Sequence, residues 1–558
     1  VLTRLPEQRP ANARIALLVQ GLQQLSDSIG YDCVSQYRIL KATLPASTQV
    51  CIFCGAVDPG RYPDAEIRPV RAMAEWLGQA RHATLIYHWC DGWPGVDETL
   101  ASLDARIVIR WHNNTPPWFF ASYAPTTARN TLRGFSDLLK LAASLPVAFW
   151  VNSDFTARQL AFLGVEDERI HVVFPLSPFL DKDAETPPPA PNPPMPTESA
   201  PLKLLFVSRA VPHKGHKHIL AAAAQAQDRL GRPVEVDMPG RADPDMTLYV
   251  AETLALAKRL GVRARMDGEA SFAEIRHLYD AADVFVCLSE HEGFGLPIFE
   301  AMRAGLPVVG LRSTALGDFL AAHPLAVDEM DHDAIAARIA AAADPAIRRA
   351  VDAWQRANIL AHYTPDIVEA QIAAGLAGSH SRAGMPVHRD ETLERTVALA
   401  LPRAPAGMPP RLSDLARDTT DRFVTRHDLR SYEALFAHIA ARTPEPRADT
   451  LYNHLWRSAF PHKSRLLSAV WRMVRRQAMS LNFGVVAAVE QSGRETSVEI
   501  SALRRQIADL KESVEMSVSR IRREPGESAR CRAAGTQPRD GTGPDGRQEP
   551  VSGSGSQV

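Results

Sequence analysis

Eight prolines fall between Pro187 and Pro201, in the stretch AETPPPAPNPPMPTESAP. Proline fixes φ and removes a backbone donor, so this stretch forms neither a helix nor a central strand. It reads as a stiff, extended linker over 179–202. The same pattern stands on both sides of it. Before the linker, the apolar runs ARIALLVQ (13–20), QVCIFC, ATLIYHW, RIVIRWH, VAFWVNS and IHVVFPL alternate with helical stretches such as CVSQYRILKAT and FTARQLAFLG. After it, KLLFVS (203–208), VEVDMPG, ARMDGE, DVFVCLS and LPVVG repeat the alternation, with GHKHILAAAAQAQDRL as the first helix. Continuous apolar runs mark parallel strands buried on both faces. Alternation with helices predicts the α/β class, with one doubly wound sheet over 12–178 and a second over 203–378. Two such domains face each other across a cleft, and ligands bind beyond the carboxyl ends of the strands.

The remainder differs in character. Residues 379–450 are polar, proline-punctuated and partly helical, and no chemistry attaches to them. In 451–523, KSRLLSAVWRMVRRQ places Leu467, Val470, Trp471 and Val474 on one helical face and Arg465, Arg472 and Arg476 on the other. That suits an anionic membrane surface or packing on the domain. Ile500, Leu503, Ile507, Leu510, Val514 and Ile521 follow heptad spacing, with Ser517 in one core slot, so a short coiled coil would pair chains or fold back as a hairpin. The composition of 524–558 predicts a disordered tail.

The formal net charge of −1 gives no field for nucleic acid. Six scattered cysteines are no disulfide framework and suit a reducing cytosol, with a peripheral position on the inner membrane face as a further expectation. Cys51 and Cys54 form a C-x-x-C within an apolar strand, without the second pair or histidines a metal needs. The opening VLTRLPEQRPANARIALLV lacks a signal layout, and no stretch approaches the length of a membrane span.

Chemistry concentrates in SEHEGFGLPIFEAMRAG (289–305). DVFVCLS ends as a strand, Pro297 fits a helix's first turn, and Gly305 fits its end. The intervening turn therefore points free N–H groups and a positive dipole end outward, a place for phosphate. Gly293 and Gly295 allow close approach to the backbone. Glu292 in the loop and Glu300, read as first-turn, suit acceptors for hydroxyls at two ends of a ligand whose diphosphate lies between them. Arg209 and Lys214, in FVSRAVPHKGHKH after the first strand of the same domain, supply the charge to neutralise that diphosphate.

With these residues in view, 203–378 resembles the donor domain of the retaining glycosyltransferases of family 4, which have the GT-B fold. Glu292 and Glu300 match the family's E-x7-E element, and Arg209 and Lys214 its cationic pair. The resemblance implies that Glu292 and the backbone of Gly293, Phe294 and Gly295 hold the donor sugar. It assigns the diphosphate to Leu296 N–H, Arg209 and Lys214, and the ribose to Glu300, without metal or other cofactor. In the first domain, RIVIRWHNNTPPWFF resembles the H-N-x-T-P-x-x-F-F stretch of a bacterial polysaccharide branch of that family. LSDSIGYDCVSQYRIL resembles its start, with Ser26 where glycine is usual and Gly30 where serine is usual.

His112 and His88 end strands in that domain and are expected at the cleft, His112 as a catalytic candidate and His88 with Asn113 and Thr115 on the acceptor side. His213, His216 and His218 lack a partner carboxylate or cysteine at ligand spacing, so zinc is not expected. Asp181 with Asp183, and Asp331 with Asp333, read as solvated charge. The expected activity is transfer of a sugar from a nucleoside diphosphate-sugar to a glycan or lipid-linked acceptor. The alternatives are an inactive scaffold or binding subunit of a polysaccharide assembly complex, and a GT-B epimerase or phosphorylase.

Overall fold

The computed structural model describes residues 13–23, 27–58, 60–80, 82–93, 95–120, 123–162, 164–179, 200–378 and 389–401. Ser26, most of the linker with Asp181 and Asp183, most of 379–450, and all of 451–523 and 524–558 lie outside them. The basic helix, the heptads and the tail expected there therefore lie outside the described residues.

Seven strands form the first sheet: β1 (Ala13–Leu22), β2 (Gln49–Val57), β3 (Ile67–Pro69), β4 (His82–Trp89), β5 (Arg106–Trp111), β6 (Ala148–Val151) and β7 (Ile170–Val172). Six form the second: β8 (Leu202–Leu205), β9 (Val234–Asp237), β10 (Arg263–Arg265), β11 (Val284–Cys287), β12 (Val308–Leu311) and β13 (Ala326–Val327). The orders are β3-β2-β1-β4-β5-β6-β7 and β10-β9-β8-β11-β12-β13. Every pairing is parallel. Both sheets are thus doubly wound, as expected. Their strand order reverses between β1 and β4 and between β8 and β11, where a crevice opens at the carboxyl ends. Two short edge strands, β3 and β13, escaped the sequence reading. At three and two residues they carry too little apolar pattern to register.

The central strands carry the core. Ile15, Leu17, Leu18, Leu85, Ile86 and Tyr87 are fully buried in the first domain, as are Val284, Phe285, Val286 and Val308 in the second. Cys51 and Cys54 are buried within β2, as the apolar reading of that strand requires. The helix Pro365–Leu376, grouped by sequence with the second domain, packs on the first. Arg106 donates to Leu376 O at 2.7 Å and Gly375 O at 2.9 Å, and Phe174 N donates to Gln371 Oε1 at 2.8 Å. A Cβ on Gly375 would lie 2.8 Å from the Trp150 ring, so the helix seats only because that residue is glycine.

Candidate active site

β11 delivers the 289–295 turn and β8 delivers Arg209 and Lys214 to one place, the crevice of the second sheet. The turn's shape is local. Gly295 stands at φ 92° as the cap of the helix Leu296–Arg303, and a Cβ there would lie 2.6 Å from Leu316 Cδ2. Pro297 occupies the first turn, and Gly305, at φ 79°, ends the helix. The Leu296 amide opens that helix and so has no intrahelical acceptor. Thr314 supports the turn from the next helix, where its hydroxyl accepts from Glu292 N at 2.8 Å. Its φ of 45° is a strained value for a β-branched residue.

Lys214 and Glu292 meet directly. Lys214 Nζ donates to Glu292 Oε1 at 2.6 Å, with the side chains 14% and 11% exposed. Arg209 is exposed, and neither a hydrogen bond nor an ion pair engages its guanidinium among the described residues. Its charge reaches across the cleft. Burial raises the pKa of Asp91, and Arg133 and Arg209 oppose that rise.

Glu300 departs from expectation. It is the fifth residue of its helix rather than a first-turn residue, because the helix begins only at Leu296. Its carboxylate is buried and engaged on both oxygens, one accepting from the Ser177 hydroxyl and the other from Tyr279 OH at 2.8 Å. Burial raises its pKa, and these two bonds oppose the rise. Phe294 contributes backbone alone to the cleft. Its ring packs among Phe174, Phe299, Phe319 and Tyr363, with centroids 4.9 to 5.3 Å away.

The first domain closes directly on this turn. Ser153 Oγ donates to Gly293 O at 2.8 Å, and a Cβ on Gly293 would lie 3.0 Å from Asn113 Cβ and 3.2 Å from His112 O. What approaches the Gly293 backbone is therefore the opposite domain. Arg158 pairs with Asp318 at 2.8 Å on one flank. On another, Tyr123 OH and Lys217 Nζ both donate to Glu252 Oε2, at 2.7 and 2.6 Å.

His88 and His112, expected at the cleft, are turned onto each other. Their rings stack at 5.2 Å inside the first domain, with His88 Nδ1 3.0 Å from His112 Nε2. Asp32 draws them inward, its Oδ2 lying 3.6 Å from His88 Nδ1 and 3.7 Å from His112 Nε2. Among the described residues this is the one group of three side chains close enough to share a cation. The same Asp32 oxygen accepts from Arg110 Nε and Gln36 Nε2, each at 2.9 Å. A divalent ion would sit beside a fully buried guanidinium, which the charge balance disfavours. Burial holds both imidazoles well below their usual pKa, consistent with a neutral hydrogen-bonded pair.

Of the next residues, Asn114 is structural. It accepts from Trp111 Nε1 at 2.8 Å and donates to Cys90 O and Asp91. Asn113 is at φ 69°, and both of its amide atoms are buried without a partner. Thr115 is half-buried in the same loop.

The three histidines near Lys214 diverge. His213 lies among Phe119, Phe120 and His291; His216 contacts Ser208 and Tyr249; His218 stacks on His332. Asp331 caps the helix His332–Ala342, and Asp333 pairs with Arg229.

Sequence reasoning passed over Glu290, Ser153 and Thr314. Glu290 lies in the quoted turn, yet it is buried with neither carboxyl oxygen hydrogen-bonded, and burial pushes its pKa up to about 8. Only the acidic residue two positions before Glu292 signalled it.

Residues 195–351 match the family model of the glycosyl transferases group 1, so the second domain is similar to that group. Over 66 residues the chain is 47% identical to the O-antigen chain mannosyltransferase B of Escherichia coli, covering 12% of this chain and 17% of that protein. Over 262 residues it is 28% identical to the D-inositol 3-phosphate glycosyltransferase of Thermobifida fusca (strain YX), covering 44% and 56%. The chain thus spans less than two thirds of the length of these curated relatives. A solved glycosyltransferase from Rickettsia africae ESF-5 superposes with a TM-score of 0.48 at 15% identity, over 66% of this chain and 99% of that one.

Proposed function

We propose that the chain is a glycosyltransferase. It moves a sugar from a nucleoside diphosphate-sugar to a glycan or lipid-linked acceptor, with retention, in bacterial surface polysaccharide assembly. One observation carries the reading: Lys214, Glu292, unpaired Arg209 and the amino end of the helix Leu296–Arg303 converge at the carboxyl ends of β8 and β11. The similarity of part of the chain to an O-antigen chain mannosyltransferase supports a polysaccharide setting.

In this reading the incoming diphosphate takes Lys214 from Glu292, because phosphate oxygens offer it more negative charge than one carboxylate. Glu292, released, accepts hydrogen bonds from hydroxyls of the donor sugar. Arg209, Lys214 and the Leu296 amide stabilise the diphosphate as the glycosidic bond breaks and charge develops on it. These groups supply the positive charge, so the reading requires no metal. Glu300 serves the ribose hydroxyls by exchanging its Ser177 contact. The contacts of Ser153 and Asn113 with Gly293 describe how the first domain excludes water once the donor is seated. The stretch 463–477 would hold the enzyme on an anionic membrane face, checked by co-sedimentation with anionic vesicles with and without 451–523.

The test is incubation of the full chain with UDP-, GDP- and ADP-sugars and lipid-linked oligosaccharides, with mass-spectrometric detection of products and an EDTA arm. Nucleotide release with an acceptor heavier by one sugar, unaffected by EDTA, is the expected result. A chain that binds no nucleotide-sugar and releases no nucleotide would be a scaffold.

A further inference from the structure

The buried polar groups of the cleft are not equally engaged. His88 and His112 hydrogen-bond to each other inside the first domain, Asp32 accepts from Arg110 and Gln36, and Glu300 is held by Ser177 and Tyr279. Asn113 differs. It is 7% exposed, and its Oδ1 and Nδ2 are both enclosed without a partner. Buried side-chain amides are ordinarily hydrogen-bonded, so an amide orphaned at both ends asks for a partner that the protein itself does not provide.

Its position indicates where that partner lies. The Nδ2 atom is 3.6 Å from where a Cβ on Gly293 would stand, so the amide lies against the backbone of the turn between β11 and the helix Leu296–Arg303. The neighbouring residues have other duties, since His112 faces His88, and Asn114 is tied to Trp111, Cys90 and Asp91. Asn113 is therefore the side chain of the 112–114 loop that presents a free donor and a free acceptor at Gly293.

We propose that Asn113 is a specificity-determining residue that hydrogen-bonds the transferred sugar through its amide when the domains close on a donor. This rests on the donor reading above and moves Asn113 from the acceptor side to the donor side. A hydroxyl both donates and accepts, so an amide offering both atoms suits a sugar ring, with one N–H given to one hydroxyl and the carbonyl accepting from the next. A purely structural role is the competing account, because asparagine tolerates the left-handed backbone that position 113 adopts at φ 69°. Glycine separates the two. It keeps that backbone and removes the amide.

The experiment is calorimetric titration of the full chain and of Asn113→Gly with UDP, UDP-glucose, GDP and GDP-mannose. The quantity read is the ratio of affinity for the nucleotide-sugar to affinity for its parent nucleotide. The expected result is an unchanged nucleotide affinity and a ratio lowered about tenfold, as for one lost hydrogen bond. If thermal melting shows that Asn113→Gly does not fold, Asn113→Ala carries the same measurement, because it too removes the amide and adds no charge. An unchanged ratio overturns the role of Asn113 while leaving the donor reading intact. Equal losses for nucleotide and nucleotide-sugar assign the residue to structure and also overturn it. A wild-type chain that binds none of the four probes removes the donor reading, and this inference with it.

Discussion

Two ion pairs, one in each domain, join residues 78 positions apart: Arg110 with Asp32, and Lys214 with Glu292. Their lengths are similar, at 2.9 and 2.6 Å, but their surroundings are not. Arg110 and Asp32 are sealed, with side chains 0% and 2% exposed, and each has further partners: Arg110 donates to Val173 O, and Asp32 accepts from Gln36. Burial raises the Asp32 pKa against the lowering by Arg110, so desolvation outweighs the attraction there. Lys214 and Glu292 keep some contact with solvent at the mouth of the crevice, and Arg209 is exposed, with no ion pair on its guanidinium among the described residues. The first pair is architecture that cannot open without leaving a bare charge in the core. The second can exchange partners.

The contrast breaks most sharply at Arg110. Arg110→Leu leaves Asp32 buried without its guanidinium partner and is expected to destabilise the chain by about 3–5 kcal/mol, read from denaturant unfolding. Adding Asp32→Leu to it should recover most of that loss, since an apolar pair carries no desolvation cost. A loss below about 1 kcal/mol in the single variant would place the pair in the surface class.

At the crevice the expectation inverts. Arg209→Met or Lys214→Met should lower turnover on the order of 10²–10³-fold and leave the unfolding midpoint nearly unchanged. If Lys214→Met unfolds the chain instead, the pair is architectural and the two regions do not differ.

Glu290 sharpens the comparison, being a buried acid in the 289–295 turn with no hydrogen-bond partner among the described residues. Its pKa is raised from 4.5 to about 8 by burial, so the folded chain holds a proton that the unfolded chain releases across that window. Its contribution is therefore fully favourable below pH 4.5 and is lost as pH rises towards 8. Between pH 5 and 8 the wild-type melting temperature should fall further than that of Glu290→Gln, a differential on the order of a few kcal/mol. Parallel curves for the two proteins would show that Glu290 finds a partner in solution.

The smallest effect belongs to the flank. Arg158 and Asp318 bridge the domains with side chains 42% and 29% exposed. Arg158→Ala should cost below about 1 kcal/mol, and less at high salt. A larger loss would make this bridge part of the closing machinery.

The 289–295 turn was legible because its signals act over a few residues. Gly295 adopts φ 92°, Pro297 accepts a first-turn place and Gly305 ends the helix, each for reasons contained in its own backbone. The strand runs were legible because burial on both faces leaves a continuous apolar trace, which β3 and β13 are too short to leave. The pairing of His88 with His112 was not legible for a matching reason. A strand end sets where a side chain starts, whereas Asp32, far along the chain, lies beside both imidazoles. Glu300 likewise took its partners from Ser177 and Tyr279, 123 and 21 residues away.

By itself, then, the sequence determined two doubly wound sheets and a glycine-bounded turn poised at a helix amino end, because periodicity and backbone freedom are local properties. Tertiary structure alone decided that Lys214 rests on Glu292, that the two histidines pair with each other, and that Asn113 meets Gly293 with its amide unsatisfied. Those outcomes depend on which distant groups share one desolvated space, and no short stretch of chain encodes that.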